Sequence, residues 1–218
     1  MRTSYGARLH QGMTRDRFEV FCRGTLVFVV VVILWGALVR ATGSGAGCGQ
    51  HWPLCNGEML PSLSRHHTLI EFIHRLSSGL SLLLVFALGH FAFRLYGRGH
   101  VLRRLAVVCM VSMLIEALIG AALVLLRLVE HDQSVDRAVS IVLHLGNTCF
   151  LVGALTVTDW SARRAAGPGA PSRIFPVSSP ERSRGVVTLM GFVILSATGA
   201  LTALGDTLFQ SSSFRQGW

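Results

Sequence analysis

The chain has 218 residues, of which 51% are hydrophobic and 14% charged, with a mean hydropathy of +0.53. Soluble domains carry about 25% charged residues, so this balance puts the chain in the membrane class. A formal charge of +9 would suit a nucleic-acid binder, but all 20 basic residues are arginine and they cluster between apolar runs. Topology accounts for such a pattern, and nucleic acid is excluded as a partner.

Residues 1–23 read as a solvated cytoplasmic arm holding Arg2, Arg8, Arg15, Arg17 and Arg23. A first apolar stretch runs from Gly24 to Val39, and an outer loop follows over residues 41–69. The next two stretches are Ile70 to Tyr96 and Leu102 to Leu126, joined by a connection holding Arg94, Arg98, Arg103 and Arg104. An acidic loop with Glu130, Asp132 and Asp136 leads to a fourth stretch, Ala138 to Thr158. Residues 161–184, rich in arginine, proline, glycine and serine, read as a cytoplasmic linker. A fifth stretch, Gly185 to Leu204, opens a final region, 185–218, that ends in an outer tail.

Each stretch reaches or approaches the roughly 20 residues that a helix needs to cross a bilayer. Helices satisfy their own backbone in lipid, and no alternating barrel pattern is present. The expectation is therefore an all-α, multi-pass bundle in the cell membrane: a four-helix unit over residues 24–160 plus a fifth span. The arginine-rich connections fall on the side of the N-terminus, which predicts an N-terminus inside and the loop 41–69 outside. A cleaved signal peptide is the competing reading of the first stretch, and Arg40, which interrupts the small residues after it, speaks against it. Gly36-Ala37-Leu38 near the end of the first span is echoed by Gly199-Ala200-Leu201 near the end of the fifth, as if a second repeat were beginning.

The outer loop contains Cys48 and Cys55 in Gly47-Cys48-Gly49-Gln50-His51-Trp52-Pro53-Leu54-Cys55-Asn56-Gly57. A structural disulfide, a redox-active pair and a metal site with His51 are all open to these residues. Cys22, Cys109 and Cys149 read as small buried apolar residues.

Ionisable groups at membrane depth mark either function or an internal partner. Glu71 and His74 are three residues apart on one face of the second span, and His144 lies at a similar depth in the fourth. Two imidazoles at one level suit the axial ligation of a haem, with Gly79 and Gly146 leaving room for the macrocycle. The blander reading has each histidine bonded to a neighbouring helix. Arg75 suits a haem propionate, and Glu71 either handles protons or pairs with Arg75. His90 falls near the inner face, and Glu116 sits in the middle of the third span with its direction undetermined.

Gly36-Ala37-Leu38-Val39-Arg40-Ala41-Thr42-Gly43-Ser44-Gly45-Ala46-Gly47-Cys48, followed by Trp52-Pro53-Leu54-Cys55-Asn56-Gly57 and Glu71-Phe72-Ile73-His74-Arg75, resembles haem A synthase of the CtaA type. The resemblance runs in order and spacing from about Val27 to Trp160. It implies oxidation of a methyl group of haem O to a formyl group, giving haem A for cytochrome oxidase assembly. It further implies a haem (haem b, or haem O and haem A as substrate and product) held by His74 and His144, with Arg75 beside it. Glu71 is then the functional glutamate, and Cys48 and Cys55 form a loop disulfide.

Members of that family commonly have eight spans in two halves, each with a histidine pair, whereas no histidine follows His144 here. The expectation is a truncated or short form needing a homodimer or a complementary second-half subunit, with haem O synthase and an electron donor as further partners. The alternatives are a non-catalytic haem-binding or electron-transfer module and a thiol-redox membrane protein using Cys48 and Cys55.

Overall fold

The computed structural model describes residues 13–62, 65–129, 132 and 134–166, together with helical positions 191, 194, 198, 199, 202 and 205. The first part of the arm, the linker beyond 166 and most of the fifth span lie outside the described residues. Among these, four helices are long and apolar enough to cross a membrane: α1 (Arg15–Ala41), α2 (His66–Leu95), α3 (Val101–Leu125) and α4 (Val135–Ala166).

Helix α1 begins nine residues before its apolar stretch, inside the segment read as an arm. The local chemistry explains this. Thr14 caps the helix by accepting from Arg17 N at 3.3 Å, Asp16 sits in the first turn, and Glu19 pairs with Arg23 one turn on at 2.6 Å. At the far end the Thr42 hydroxyl donates to Leu38 O, and Gly43 takes a φ of 60° as the chain leaves the helix. Helix α2 likewise starts earlier than its apolar stretch, so His66 and His67 lie in its first turn rather than in the loop.

Helix α1 packs on α2 and α4, and α3 packs on α2 and α4, so the four close into a ring. Helices α2 and α4 are therefore diagonal partners, facing each other only through the middle of the bundle. The short α2–α3 and α3–α4 connections set antiparallel neighbours, whereas a longer segment, 42–65, joins α1 to α2.

The tight packing is confined largely to the inner part of the bundle, toward the α2–α3 turn. Phe18, Cys22, Val29, Val85, Leu88, Ala92, Leu102, Ala106, Cys109, Leu151, Leu155 and Ala162 form one buried cluster there. Many of these side chains are small, which lets helices approach closely where lipid removes the hydrophobic drive to associate. Gly89 serves the same end, since a Cβ there would collide with Met110. Toward the end of the bundle that carries the 42–65 connection the packing changes. No residue is buried over 33–38 of α1, 72–80 of α2, 114–120 of α3 or 139–147 of α4, although every helix has buried residues on both sides of that band.

Candidate functional site

His74 and His144 lie within this loosely packed band. His74 is eight residues from the start of α2 and His144 nine from the start of α4, about 12 and 13.5 Å along helices that both begin at the same end of the bundle.

Each ring lies over a glycine of an adjacent helix. A Cβ on Gly36 would come within 2.9 Å of His74 Cε1, and one on Gly120 would meet His144 Cε1 at 3.7 Å. The glycines that make room are thus on α1 and α3. Gly79 and Gly146 meet nothing within 4 Å, because they project to other faces of their own helices than the histidines do.

Nδ1 of His74 is buried with no hydrogen-bond partner, and so is Nδ1 of His144. An unpartnered polar atom in a membrane interior is costly. For His74 the blander reading, a bond to a neighbouring helix, is not what the geometry gives, whereas His144 has a carboxylate of α3 beside it. A haem fits this donor set: two imidazoles on diagonal helices, each beside a glycine of an adjacent helix, in a level without tight packing.

Nδ1 of His144 also stands 3.3 Å from Glu116 Oε1, though not in hydrogen-bond alignment. Glu116 faces α4. Its Oε2 accepts from Asn147 Nδ2 at 2.5 Å, and the Thr148 hydroxyl donates to its Oε1. Asn147 also donates to Ser112 O at 3.0 Å and accepts from the Ser112 hydroxyl at 3.2 Å, clamping α4 to α3. Asn147 and Thr148 escaped the sequence reading because uncharged polar residues stand out little in a span; their place three and four residues after His144 was the available signal.

Above the histidines, Cys48 and Cys55 are joined by a disulfide. Glu71 and Arg75 fasten this loop to α2. The buried carboxylate of Glu71 accepts from Cys48 N at 2.7 Å through Oε2 and from Arg75 Nε and Nη2 at 3.0 and 2.5 Å through Oε1. Arg75 gives its remaining donors to His51 O, Leu54 O and Gly49 O at 3.0, 2.6 and 3.2 Å. All five guanidinium N–H groups are thereby engaged. Arg75, expected to meet a propionate, is here a clamp on the loop, and a propionate could reach it only by displacing one of these acceptors.

Glycine is required at position 47, where a Cβ would lie 2.5 Å from the His67 carbonyl. Gly47 O in turn accepts from the Thr68 hydroxyl at 2.9 Å. Trp35 Nε1 donates to Ile70 O at 3.0 Å, tying the outer ends of α1 and α2 together beside Gly36. His51 is exposed in the loop, and among the described residues no group of three or more His, Cys, Asp or Glu is placed to hold a metal ion. His90 is exposed, against Phe91, and is well away from the band.

A family model described as cytochrome oxidase assembly protein matches residues 19–217. A protein of Thermus thermophilus named protoheme IX farnesyltransferase is 43% identical over 204 residues, which is 91% of this chain and 32% of that protein. Heme A synthases of Geobacillus kaustophilus and Bacillus mycoides are 42% and 45% identical over 104 and 100 residues, covering 48% and 46% of this chain and 33% and 32% of theirs. The chain thus spans about a third of the length of these relatives. With a match over nearly its whole length, the chain belongs to the COX15-CtaA family of cytochrome oxidase assembly proteins.

Proposed function

We propose that the chain acts in haem A biosynthesis as a haem A synthase-like oxidoreductase, converting a methyl group of haem O to a formyl group. The observation that carries this reading is the pair of imidazoles, His74 and His144, on diagonal helices at one level of a loosely packed band, each with a buried Nδ1 that makes no aligned hydrogen bond. The names of the Geobacillus and Bacillus relatives point the same way.

His74 and His144 would hold the haem from opposite sides, and its iron would supply the redox chemistry. Glu71 is the functional carboxylate, one turn outward of His74, where it can exchange a proton or stabilise positive charge at the edge of the site. Its two oxygens are fixed by Cys48 N–H and Arg75, so the disulfide loop sets its position. Arg75 acts through that loop. The loop lies on the outer face with the arginine-rich connections inside, and haem O synthase supplies the substrate.

A second reading, a haem-binding or electron-transfer module, is favoured by the full engagement of Glu71. The farnesyltransferase name of the Thermus relative favours no third one. Prenyl-diphosphate transfer calls for carboxylates grouped around Mg²⁺, whereas Glu71, Glu116 and Asp159 are separately paired to Arg75, Asn147 and Arg163.

The deciding experiment is co-expression with haem O synthase, followed by extraction and chromatography of the haems. Haem A or a hydroxylated precursor, present with the intact chain and absent with Glu71→Ala, is the expected result. Bound but unchanged haem would leave the module reading in its place.

A further inference from the structure

We infer that Glu116 is a positioning residue for one of the two haem ligands, His144, and that the ligand pair is therefore asymmetric. The inference rests on the haem-site reading above and goes beyond it by assigning a carboxylate on α3, a helix that supplies no ligand.

Glu116 is a carboxylate in the middle of a membrane span, an expensive place for it unless its lone pairs are occupied. Two are occupied from α4, by Asn147 Nδ2 and the Thr148 hydroxyl, residues within one turn of His144. These contacts fix the carboxylate laterally and aim Oε1 at His144, whose Nδ1 is 3.3 Å away. A small rotation of the imidazole brings Nδ1–H into line. Such a hydrogen bond leaves Nε2 as the ligating nitrogen, holds the ring plane and strengthens the donor, as outer-shell carboxylates do for metal-bound histidines. Gly120, one turn further along α3, leaves the ring space to turn, with 3.7 Å from a Cβ position to Cε1.

His74 has no counterpart. Its buried Nδ1 has no hydrogen-bond partner, and its ring keeps its place only because position 36 has no Cβ, which would stand 2.9 Å from Cε1. His144 is thus the anchored ligand and His74 the unanchored one.

The test uses the full-length chain purified in detergent and loaded with haem b, comparing Glu116→Gln, Glu116→Ala and Glu116→Asp with the parent. Helical content and the Cys48–Cys55 disulfide are verified first for each variant. Glu116→Ala should bind haem about ten- to a hundredfold more weakly. Glu116→Gln should retain most of its haem but with a raised reduction potential and altered low-spin EPR g-values, because the neutral amide polarises the imidazole less. Glu116→Asp should restore the potential partway.

A carboxylate that merely packed α3 on α4 would alter stability while leaving the potential and g-values of the bound haem at parent values. That outcome overturns the inference. If instead His74→Ala and His144→Ala both leave haem binding intact, the haem-site reading itself fails, and the two failures are distinguishable.

Discussion

Gly36 and Gly120 make the sharpest comparison at the scale of single residues. A methyl group at position 36 would sit 2.9 Å from the His74 ring, closer than carbon atoms approach without something moving, whereas at 120 it makes an ordinary 3.7 Å contact. Alanine is the better helix former at either position, so propensity alone would predict two harmless substitutions. Gly36→Ala is expected to lower haem occupancy of the purified chain severalfold, and Gly120→Ala to leave it unchanged, as read from the Soret absorbance per protein. Equal occupancy in the two variants would contradict a ligand role for His74 in the orientation described. The similar height of His74 and His144 was legible, because rise per residue converts sequence position into height. Rotation about the helix axis was not: α3 is apolar nearly all the way round, so nothing in the sequence said that Glu116 faces α4. Nor could the sequence show that four loop and helix acceptors would converge on Arg75, since three of them are backbone carbonyls.

At the scale of elements, the disulfide loop is a lid on α2 fastened by more than its disulfide. Closing a seven-residue separation is worth about 2.5 kcal/mol on chain-entropy grounds. Arg75 and Glu71 add four charge-assisted contacts beyond their own ion pair, from Cys48 N to Glu71 and from Arg75 to three carbonyls. Arg75→Lys preserves the charge but cannot reproduce the planar fork. It should therefore expose the loop to limited proteolysis even with the disulfide intact, while Cys48→Ser with Cys55→Ser should leave the loop partly protected. At the opposite end, the α2–α3 turn contains His100, whose Nδ1 caps α3 by accepting from Leu102 N at 3.2 Å and whose ring stacks on Tyr96 at 4.5 Å. Burial, with the Arg15 charge nearby, holds the His100 pKa below its ordinary value of 6.5. The neutral cap is favoured in the fold, so its contribution is complete above pH 6.5 and declines as the pH falls from there toward the folded pKa. Amide exchange at Leu102 should accelerate over that window, and His100→Asn, a cap that does not titrate, should abolish the acceleration. The early start of α1 was readable from Thr14 and Asp16, a capping signal that the longer apolar pattern obscured.

The whole molecule has two unlike ends. Arg15, Arg17 and Arg23 at the start of α1, Arg94, Arg98, Arg103 and Arg104 around the α2–α3 turn, and Arg163 and Arg164 at the end of α4 share one end of the ring of helices. The disulfide loop, with Glu71 and Arg75 beneath it, occupies the other. Arginine beside short connections is retained on the cytoplasmic side during insertion, so the cysteine loop is expected outside and the arginine end within. The free cysteines sharpen the test, because Cys22 and Cys109 are buried and Cys149 is partly so, leaving Cys48 and Cys55 as the thiols most readily exposed by reduction. After mild reduction of intact cells, a membrane-impermeant maleimide should label the chain, and Cys48→Ser with Cys55→Ser should abolish most of that labelling. Inside-out vesicles should label only after permeabilisation. The reverse pattern would invert the molecule, placing Glu71 and the outer halves of the histidine helices toward the cytoplasm, and would require a different route for substrate and electrons to the same pair of imidazoles.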